Sequence, residues 1–277
     1  MALGRHTTIA LGSALATAGT LVLYRQASKS QSEWDETRVG YLPLDKLKQL
    51  GDDLWIVDTT ITASGLCLPV RMTIIRLPNG DLMLHSPTRC TAELTASISA
   101  LGRIAHLIAP TFAHWLYLRD WQAAFPEATS WAVPGLRDRA QVQTSGTRID
   151  RDLGEDAPSQ WRDVIEQGLV AGGGGFEECF FFHRPSATLL LCDLIQNLEA
   201  SKLAPLARMV ARAAAGTRGT TALHVRTALR LGGSEAKAQV QKIVRLQPRR
   251  VIFAHGAPFE KDAAARLRCA FAWLVRE

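Results

Sequence analysis

One stretch near the middle of the chain, residues 104–121, constrains the fold more than any other. It reads IAHLIAPTFAHWLYLRDW: a short apolar run, a stop at Pro110 and Thr111, and then an amphipathic segment. This order predicts a β-strand, a sharp turn and a helix. In open α/β sheets, ligands bind beyond the carboxyl ends of strands, so His114, just past the turn, is a candidate site residue. His106 lies inside the apolar run, and we interpret it as structural.

Size and composition suit one large α/β domain and exclude several classes of protein. The chain has 277 residues, of which 47% are hydrophobic and 21% charged, so it can bury a full core. The net charge of +6 comes from scattered residues and forms no basic patch, so we expect no nucleic-acid partner. The five cysteines include no Cys-x-x-Cys pair, which argues against a zinc ribbon or a thioredoxin-like site.

The N-terminal residues 7–24, TTIALGSALATAGTLVLY, carry no charge. Three interpretations stay open: an uncleaved membrane anchor that forms a transmembrane helix, an export signal with an Ala-x-Ala site at residues 14–16, or an organelle transit peptide. We expect a membrane-anchored or exported protein, with organelle targeting as the alternative. The predicted organisation is a targeting or anchor segment over residues 1–40 and a single domain over residues 41–277.

The remainder of the chain alternates between strand and helix patterns. Asn79-Gly80 stands between two apolar runs and predicts a β-hairpin. A β meander followed by alternating helices and strands indicates an α/β sandwich. The predicted strands are residues 54–61, 70–77, 81–86, 104–109, 127–134, 178–183, 188–194 and 250–254, and the predicted helices are 91–101 and 260–275.

Three other segments have a less regular pattern. Residues 136–160 are polar and predict an exposed connection or a flap over a site. The glycine run at residues 172–175 predicts a turn between strands, because no Lys-Ser or Lys-Thr follows to make a phosphate loop. Residues 200–246 are mainly helical and rich in Ala, Arg and Lys. Their basic face is expected to meet solvent, with membrane contact as the alternative.

Three polar residues stand at or just beyond the ends of apolar runs: His114, Asp193 and His255. If the strands are parallel neighbours, these ends meet at one edge of the sheet. Two imidazoles and one carboxylate can hold a zinc or iron ion and leave positions open for water and substrate. The alternative is that three unrelated residues cap or hydrogen-bond separate loops.

The order of these pieces resembles the metallo-β-lactamase superfamily over residues 52–275. The opening strands LWIVDTT and MTIIRLPNGDLMLHSP, the strand TLLLCDL and the strand VIFAHG carry the resemblance. More narrowly, LHSP, the Ala-Pro turn, the E-xxxx-H-R segment, the CDL-xx-N segment and AHG together resemble an uncharacterised branch known as a domain of unknown function. The resemblance implies an αββα sandwich with its metal site at one edge of two sheets. It places the metal-bridging role on Asp193 and the last metal histidine at His255.

The sequence departs from the superfamily pattern in ways that lower the number of expected metal ligands. The His-x-His-x-Asp-His motif is absent, and only His114 stands in its place. A further metal histidine is replaced by the glycine run, for which Glu178 or His183 could substitute. His85 stands where the superfamily usually has Asp, and it could orient a ligand or cap the strand. At most one metal site survives, built from His114, Asp193 and His255.

Two functions follow from this pattern. The first is a single-metal hydrolase that acts on a small molecule such as an ester, thioester, amide or phosphoester, with Asp193 as a catalytic and metal residue and one zinc or iron ion as cofactor. The second is a catalytically inactive binding or scaffold protein with no metal, associated with a membrane through residues 7–24. A serine hydrolase of the Gly-x-Ser-x-Gly type is excluded because that motif is missing.

Overall fold

Eleven strands in two sheets carry the fold within residues 36–63 and 66–275, which the computed structural model describes. The larger sheet has seven strands in the order β1 to β7, and the smaller has four in the order β11-β10-β9-β8. The larger sheet comprises β1 Lys48–Gly51, β2 Leu54–Ala63, β3 Leu66–Arg76, β4 Asp81–His85, β5 Arg103–Ala109, β6 Thr129–Ala132 and β7 Arg151–Asp152. The smaller comprises β8 Ile165–Ala171, β9 Glu177–His183, β10 Thr188–Leu190 and β11 Arg250–Ile252.

Helices cover the outer faces of both sheets. They are α1 Glu36–Val39, α2 Ala92–Ser99, α3 Leu118–Ala124, α4 Ala140–Ser145, α5 Pro205–Ala213, α6 Leu223–Leu231, α7 Gly233–Arg245 and α8 Ala263–Val275. The first core layer joins the two sheets to each other and to α2 and α3, with Trp121 and Phe181 among its fully buried members. A second layer lies between the smaller sheet and helices α6 to α8, around Phe180 and Phe271. The architecture is the expected αββα sandwich.

Local sequence signals explain the hairpins. At the predicted Asn-Gly turn, the Leu77 amide donates to the Asp81 carbonyl at 2.8 Å, and Gly80 adopts a φ of 84°, which favours glycine. β3 and β4 are therefore antiparallel, as predicted. The glycine run likewise forms the turn between the antiparallel strands β8 and β9, which confirms that prediction.

Two segments differ from the sequence-based expectation. The helix after the turn at Pro110 begins only at Leu118, since residues 111–117 form a loop. Residues 136–160 are not irregular throughout, because α4 lies there and β7 pairs with β6 at the edge of the larger sheet. The loop after β5 is consequently long enough to bring His114 to the space between the sheets.

Helix α1 belongs to the packed structure although it precedes residue 41. Val39 is fully buried and packs in one cluster with Leu203 and Ala207. None of the described helices has both the length and the apolar character needed to cross a bilayer. The uncharged run of residues 7–24 lies outside the described residues.

Candidate metal centre

His114, Asp193 and His255 meet at one end of the sandwich, although they come from both sheets. Asp193 and His255 follow β10 and β11, which are parallel neighbours with Leu190 opposite Ile252. His114 follows β5 of the larger sheet. The expectation that all three residues follow neighbouring parallel strands is therefore wrong for His114. Its side chain reaches Asp193 and His255 across the gap between the two sheets.

The two sheets are joined close to this point. The Cys179 amide of β9 donates to the Pro110 carbonyl at 2.9 Å, and Thr111 pairs with Glu178 in an isolated antiparallel bridge. These contacts tie the turn after β5 to the smaller sheet. They bring the backbone of the His114 loop to the strand that lies beside β10.

The distances between the three side chains suit ligands of one ion. Asp193 Oδ1 lies 3.5 Å from His114 Nε2 and 3.4 Å from His255 Nε2. One ligand atom from each residue lies within 4.8 Å of the other two. Four ligands at about 2.1 Å from a tetrahedral zinc ion stand about 3.4 Å apart. The observed separations exceed an ordinary N–H···O hydrogen bond of about 2.9 Å and match that edge length, so the residues fit one divalent ion.

Hydrogen bonds at the second ring nitrogens orient both imidazoles. His255 Nδ1 donates to the Pro69 carbonyl at 2.8 Å, which leaves Nε2 free to act as a ligand when the ring is neutral. His114 Nδ1 lies 2.7 Å from Ser86 Oγ, and donation to this hydroxyl leaves its Nε2 free as well. Such partners fix the tautomer and the ring orientation of metal-binding histidines.

Ser86, which the sequence analysis did not single out, is a positioning residue for His114. It follows β4 with a φ of 56°, unusual for a residue other than glycine. Its side chain is buried and lines neither of the cavities beside the site. A chain of Ser86, His114 and Asp193 has the order of a catalytic triad, but a hydroxyl that substrate cannot reach does not act as a nucleophile.

Glu178 supports the loop that carries Asp193. Its carboxylate accepts the amides of Cys192 at 2.7 Å, Asp193 at 2.7 Å and Leu194 at 2.9 Å. Because these three amides donate to Glu178, they do not form β-sheet hydrogen bonds with a neighbouring strand. Strand β10 therefore ends at Leu190 and not at the predicted residue 194. Because the carboxylate is fully buried and used by the backbone, Glu178 does not substitute for the missing ligand.

The electrostatic state of Asp193 follows from its neighbours. Burial raises the pKa of this carboxyl, but His114 and His255 outweigh burial and hold the pKa well below its ordinary range. Thr111 Oγ1 donates to the second carboxylate oxygen at 3.2 Å. Burial and the nearby Asp193 raise the pKa of Glu178, and the three backbone N–H groups that donate to Glu178 partly offset this rise. Asp193 is thus the ionised carboxylate that faces the two imidazoles.

The other two candidate residues occupy different places. His85 is buried with its ring edge-on to Phe181 at 5.1 Å, and burial together with His114 lowers its pKa to about 3. It is therefore a neutral neighbour of His114. His183 lies at the far end of β9, roughly 17 Å along the strand from Glu178, where its Nδ1 hydrogen-bonds Ser186 at 2.7 Å. The structure does not bring His183 to the site.

Arg71, a further residue that sequence reasoning missed, holds the His255 loop. One guanidinium nitrogen donates to the carbonyls of Phe253 at 3.0 Å and Gly256 at 2.9 Å, on either side of His255. A second nitrogen pairs with Asp58 Oδ1 at 2.7 Å, and both side chains are buried. The available signal was two opposite charges inside apolar strands, because such charges are costly unless paired. Asp58 on β2 and Arg71 on β3 lie directly opposite each other in the larger sheet.

Two adjoining cavities open at the three side chains. A cavity of about 570 Å³ contacts His114 and His255 and is otherwise mostly apolar, with Val70, Trp115 and Leu116 in its wall. A second cavity of about 430 Å³ contacts Asp193 and the glycine run. Arg139 lies between them with its guanidinium 3.9 Å from the centre of the Phe112 ring. A small molecule with an apolar part can thus reach all three polar groups.

The sandwich and the position of the three residues define the class: the chain has the metallo-β-lactamase fold, with a reduced metal motif. The chain is similar to crystal structures of the DIM-1 metallo-β-lactamase exposed to ceftazidime and of metallo-β-lactamases from Pontibacter korlensis and Hirschia baltica. The TM-scores are 0.56, 0.56 and 0.54 at 11%, 14% and 12% identity. The matches cover 82%, 82% and 81% of this chain and 96%, 98% and 96% of those chains. Identities this low show a shared fold alone.

The particular family is narrower than the fold. The model of the family described as Domain of unknown function (DUF4336) matches residues 51–224, more than half of the chain, and the chain belongs to this family. A comparison with curated proteins found no match. The protein is thus a member of an uncharacterised branch of the metallo-β-lactamase fold, as the sequence resemblance implied.

Proposed function

We propose that the protein is a hydrolase that uses one divalent metal ion held by His114, Asp193 and His255. The observation that carries the proposal is the position of Asp193 Oδ1, 3.5 and 3.4 Å from the two Nε2 atoms. Bound there, a zinc or iron ion would polarise a substrate oxygen and activate water at neutral pH. The chain supplies the negative charge of Asp193 and two imidazoles whose orientation is set by Ser86 and Pro69.

The surroundings support a small-molecule substrate with an apolar portion. The side chains of His114, Asp193 and His255 are 6%, 17% and 13% exposed, so a ligand can contact them while most water is excluded. The larger cavity offers apolar walls, and Arg139 is the cation that stands between the two cavities. Within such a site, electrostatic interactions with a developing negative charge are stronger than in bulk water.

The second candidate function is a binding protein without catalysis. Its support is the small number of ligands, because the chain keeps three donors and lacks the His-x-His-x-Asp-His motif. Fewer donors bind an ion more weakly. In this case the same cavities would hold a ligand that donates hydrogen bonds to Asp193 and forms hydrogen bonds with the histidines.

Metal content and turnover, measured on the full chain, test the two functions. The protein is purified without chelator or nickel affinity, and zinc, iron and manganese are counted by elemental analysis. We expect about one ion per chain, lost in Asp193→Ala and His255→Ala but kept in His224→Ala, an exposed histidine of the adjoining cavity. Circular dichroism checks that each variant is folded.

A panel of chromogenic esters, thioesters and phosphodiesters then separates hydrolase from binding protein. Turnover that is lost in Asp193→Ala and kept in Glu166→Gln, a substitution on β8 outside both cavities, supports the hydrolase. Metal without turnover on any substrate class favours the binding protein. If the folded chain takes up no metal even with excess zinc, the hydrolase mechanism is wrong.

A further inference from the structure

Helix α5 packs with an inverted pattern of side-chain size. The residues that it buries are small, Ala207 and Ala211, whereas its larger apolar residues Met209 and Val210 are 59% and 41% exposed. A surface helix normally turns its largest apolar side chains toward the core. Leu223 is also exposed, and its amide donates to the Ala214 carbonyl just beyond the end of α5, which places it beside this helix. The α5 face, defined here as Met209, Val210, Arg212 and Leu223, thus exposes three large apolar side chains.

Positive charge accompanies these apolar side chains. Arg208 and Arg212 lie on α5, and residues 200–233 contain six lysines and arginines and no acidic residue. On the next helix, burial and the charges of Arg230 and Arg218 lower the pKa of Arg226, which reflects how closely these guanidinium groups stand. Apolar side chains among arginines are typical of segments that lie at the surface of an anionic bilayer.

The chain enters the described structure beside helix α5, on the side of the helix where Ala207 and Ala211 are buried. Val39 packs in one cluster with Ala207 and Ala211 of α5, and Lys202 Nζ donates to the Gly40 carbonyl at 3.0 Å. The uncharged run of residues 7–24 is separated from Glu36 by eleven residues, which span at most about 40 Å. Whatever surface receives that run lies within reach of α5.

We propose that the α5 face docks on the surface of an anionic lipid bilayer. Arg212 approaches the lipid phosphates, and the side chains of Met209, Val210 and Leu223 enter the boundary between headgroups and acyl chains. This contact is separate from any insertion of residues 7–24, and it orients the domain relative to the bilayer. It does not depend on the proposed hydrolase activity.

Hydrogen–deuterium exchange of the full chain tests the docking independently of how the N-terminal run binds. The protein is reconstituted with vesicles of phosphatidylcholine alone or of phosphatidylcholine with one quarter phosphatidylglycerol. We expect peptides that span α5 to exchange about fivefold more slowly on the anionic vesicles, because docking suppresses local opening. The slowing should diminish at high salt, since salt screens the arginines.

Matched variants assign the effect to the α5 face. Met209→Ser combined with Val210→Ser, and Arg212→Glu separately, should abolish the slowing. Arg245→Glu is the control, because Arg245 is an exposed arginine on α7, a helix that packs on β8 and α8. Peptides from β3 and β4 report whether each variant keeps the wild-type fold.

Three outcomes would overturn the proposal. The first is equal exchange of α5 on neutral and anionic vesicles. The second is loss of the effect in Arg245→Glu as well as in Arg212→Glu, which would indicate unspecific charge attraction. The third is an α5 already protected in mild detergent without vesicles. Protection that depends on protein concentration would then identify a second copy as the occupant, and concentration-independent protection would identify a segment of this chain.

Discussion

The carboxylate of Glu178 accepts the backbone amide of Asp193 at 2.7 Å, and the two residues are fifteen positions apart in the sequence. The same carboxylate also accepts the amides of Cys192 and Leu194. A buried acid on β9 therefore sets the path of the chain that presents Asp193 to His114 and His255. The sequence left Glu178 open as a substitute for the missing metal ligand, without a motif position to assign it, whereas in the structure Glu178 holds the loop that carries Asp193.

Replacement of Glu178 by Gln should weaken both the fold and the metal site. Glutamine has one acceptor oxygen, so at least one of the three amides loses its buried partner, which costs about 1–3 kcal/mol of unfolding free energy. Because the Asp193 loop loosens, zinc affinity should fall by about tenfold or more. Urea unfolding and competition with a chromophoric chelator measure the two effects.

Glu166→Gln is the matched control for this substitution. Glu166 lies on the neighbouring strand β8 and pairs at 3.5 and 3.8 Å with Arg184 and Lys242, which are partly exposed. Its loss should cost less than about 1 kcal/mol and leave zinc affinity unchanged. Equal effects of the two substitutions would contradict the role given to Glu178.

The hydroxyl of Ser86 should matter for metal binding through His114. Ser86→Ala removes the hydrogen bond to Nδ1, and we expect zinc affinity to fall by about 10- to 100-fold. Ser186→Ala is a close control, because Ser186 makes an equivalent 2.7 Å bond to Nδ1 of His183, away from the site. Chelator competition on both variants decides the matter. Unchanged affinity in Ser86→Ala would show that its bond to His114 does not orient the ligand.

Removing Arg71 from its buried pair with Asp58 should cost more stability than removing Arg76, also on β3, from its partly exposed pair with Asp53. Arg71→Met leaves a buried carboxylate with less compensation and frees two carbonyls beside His255, so unfolding free energy should fall by about 3–5 kcal/mol. Arg76→Met removes an arginine that pairs with Asp53 at 2.8 Å with both side chains partly exposed, and should cost less than about 1 kcal/mol. Urea titrations that gave similar losses would refute the difference.

Acid should destabilise the protein partly through His106. Burial lowers the pKa of His106 to about 4 from its ordinary value of 6.5, and Nδ1 accepts a 3.3 Å hydrogen bond from Trp131 Nε1. Between these pH values the unfolded chain binds the proton and the folded chain does not. Stability from this residue is therefore complete above pH 6.5 and is lost as the pH falls toward 4, by up to about 3 kcal/mol.

Unfolding free energies from pH 7.5 to 4.5 test this slope. His106→Gln should flatten the pH dependence relative to wild type, whereas His224→Gln, which changes an exposed histidine, should preserve it. The other groups that titrate in this range are common to the three proteins, so only the difference in slope is read. Parallel curves for wild type and His106→Gln would show that His106 is not the cause.

Much of the local structure was determined by the sequence. Alternating apolar residues, Asn79-Gly80 and the glycine run placed the strands and hairpins, since side-chain periodicity and turn residues act over a few positions. The order of these elements, together with LHSP and AHG, was sufficient to indicate the metallo-β-lactamase superfamily. The same reasoning marked His114, Asp193 and His255, because each stands at or just beyond the end of an apolar run.

Only the tertiary structure decided how those residues meet. The pattern suggested parallel neighbours, yet His114 reaches Asp193 from the opposite sheet, and no local periodicity encodes a contact across 79 positions. The supporting roles of Ser86, Glu178 and Arg71 were hidden for the same reason, since the site groups that they hold in place lie 14 to 185 positions away. The burial that makes an unpaired charge costly arises only when the two sheets close on each other, and that closure selects the partners.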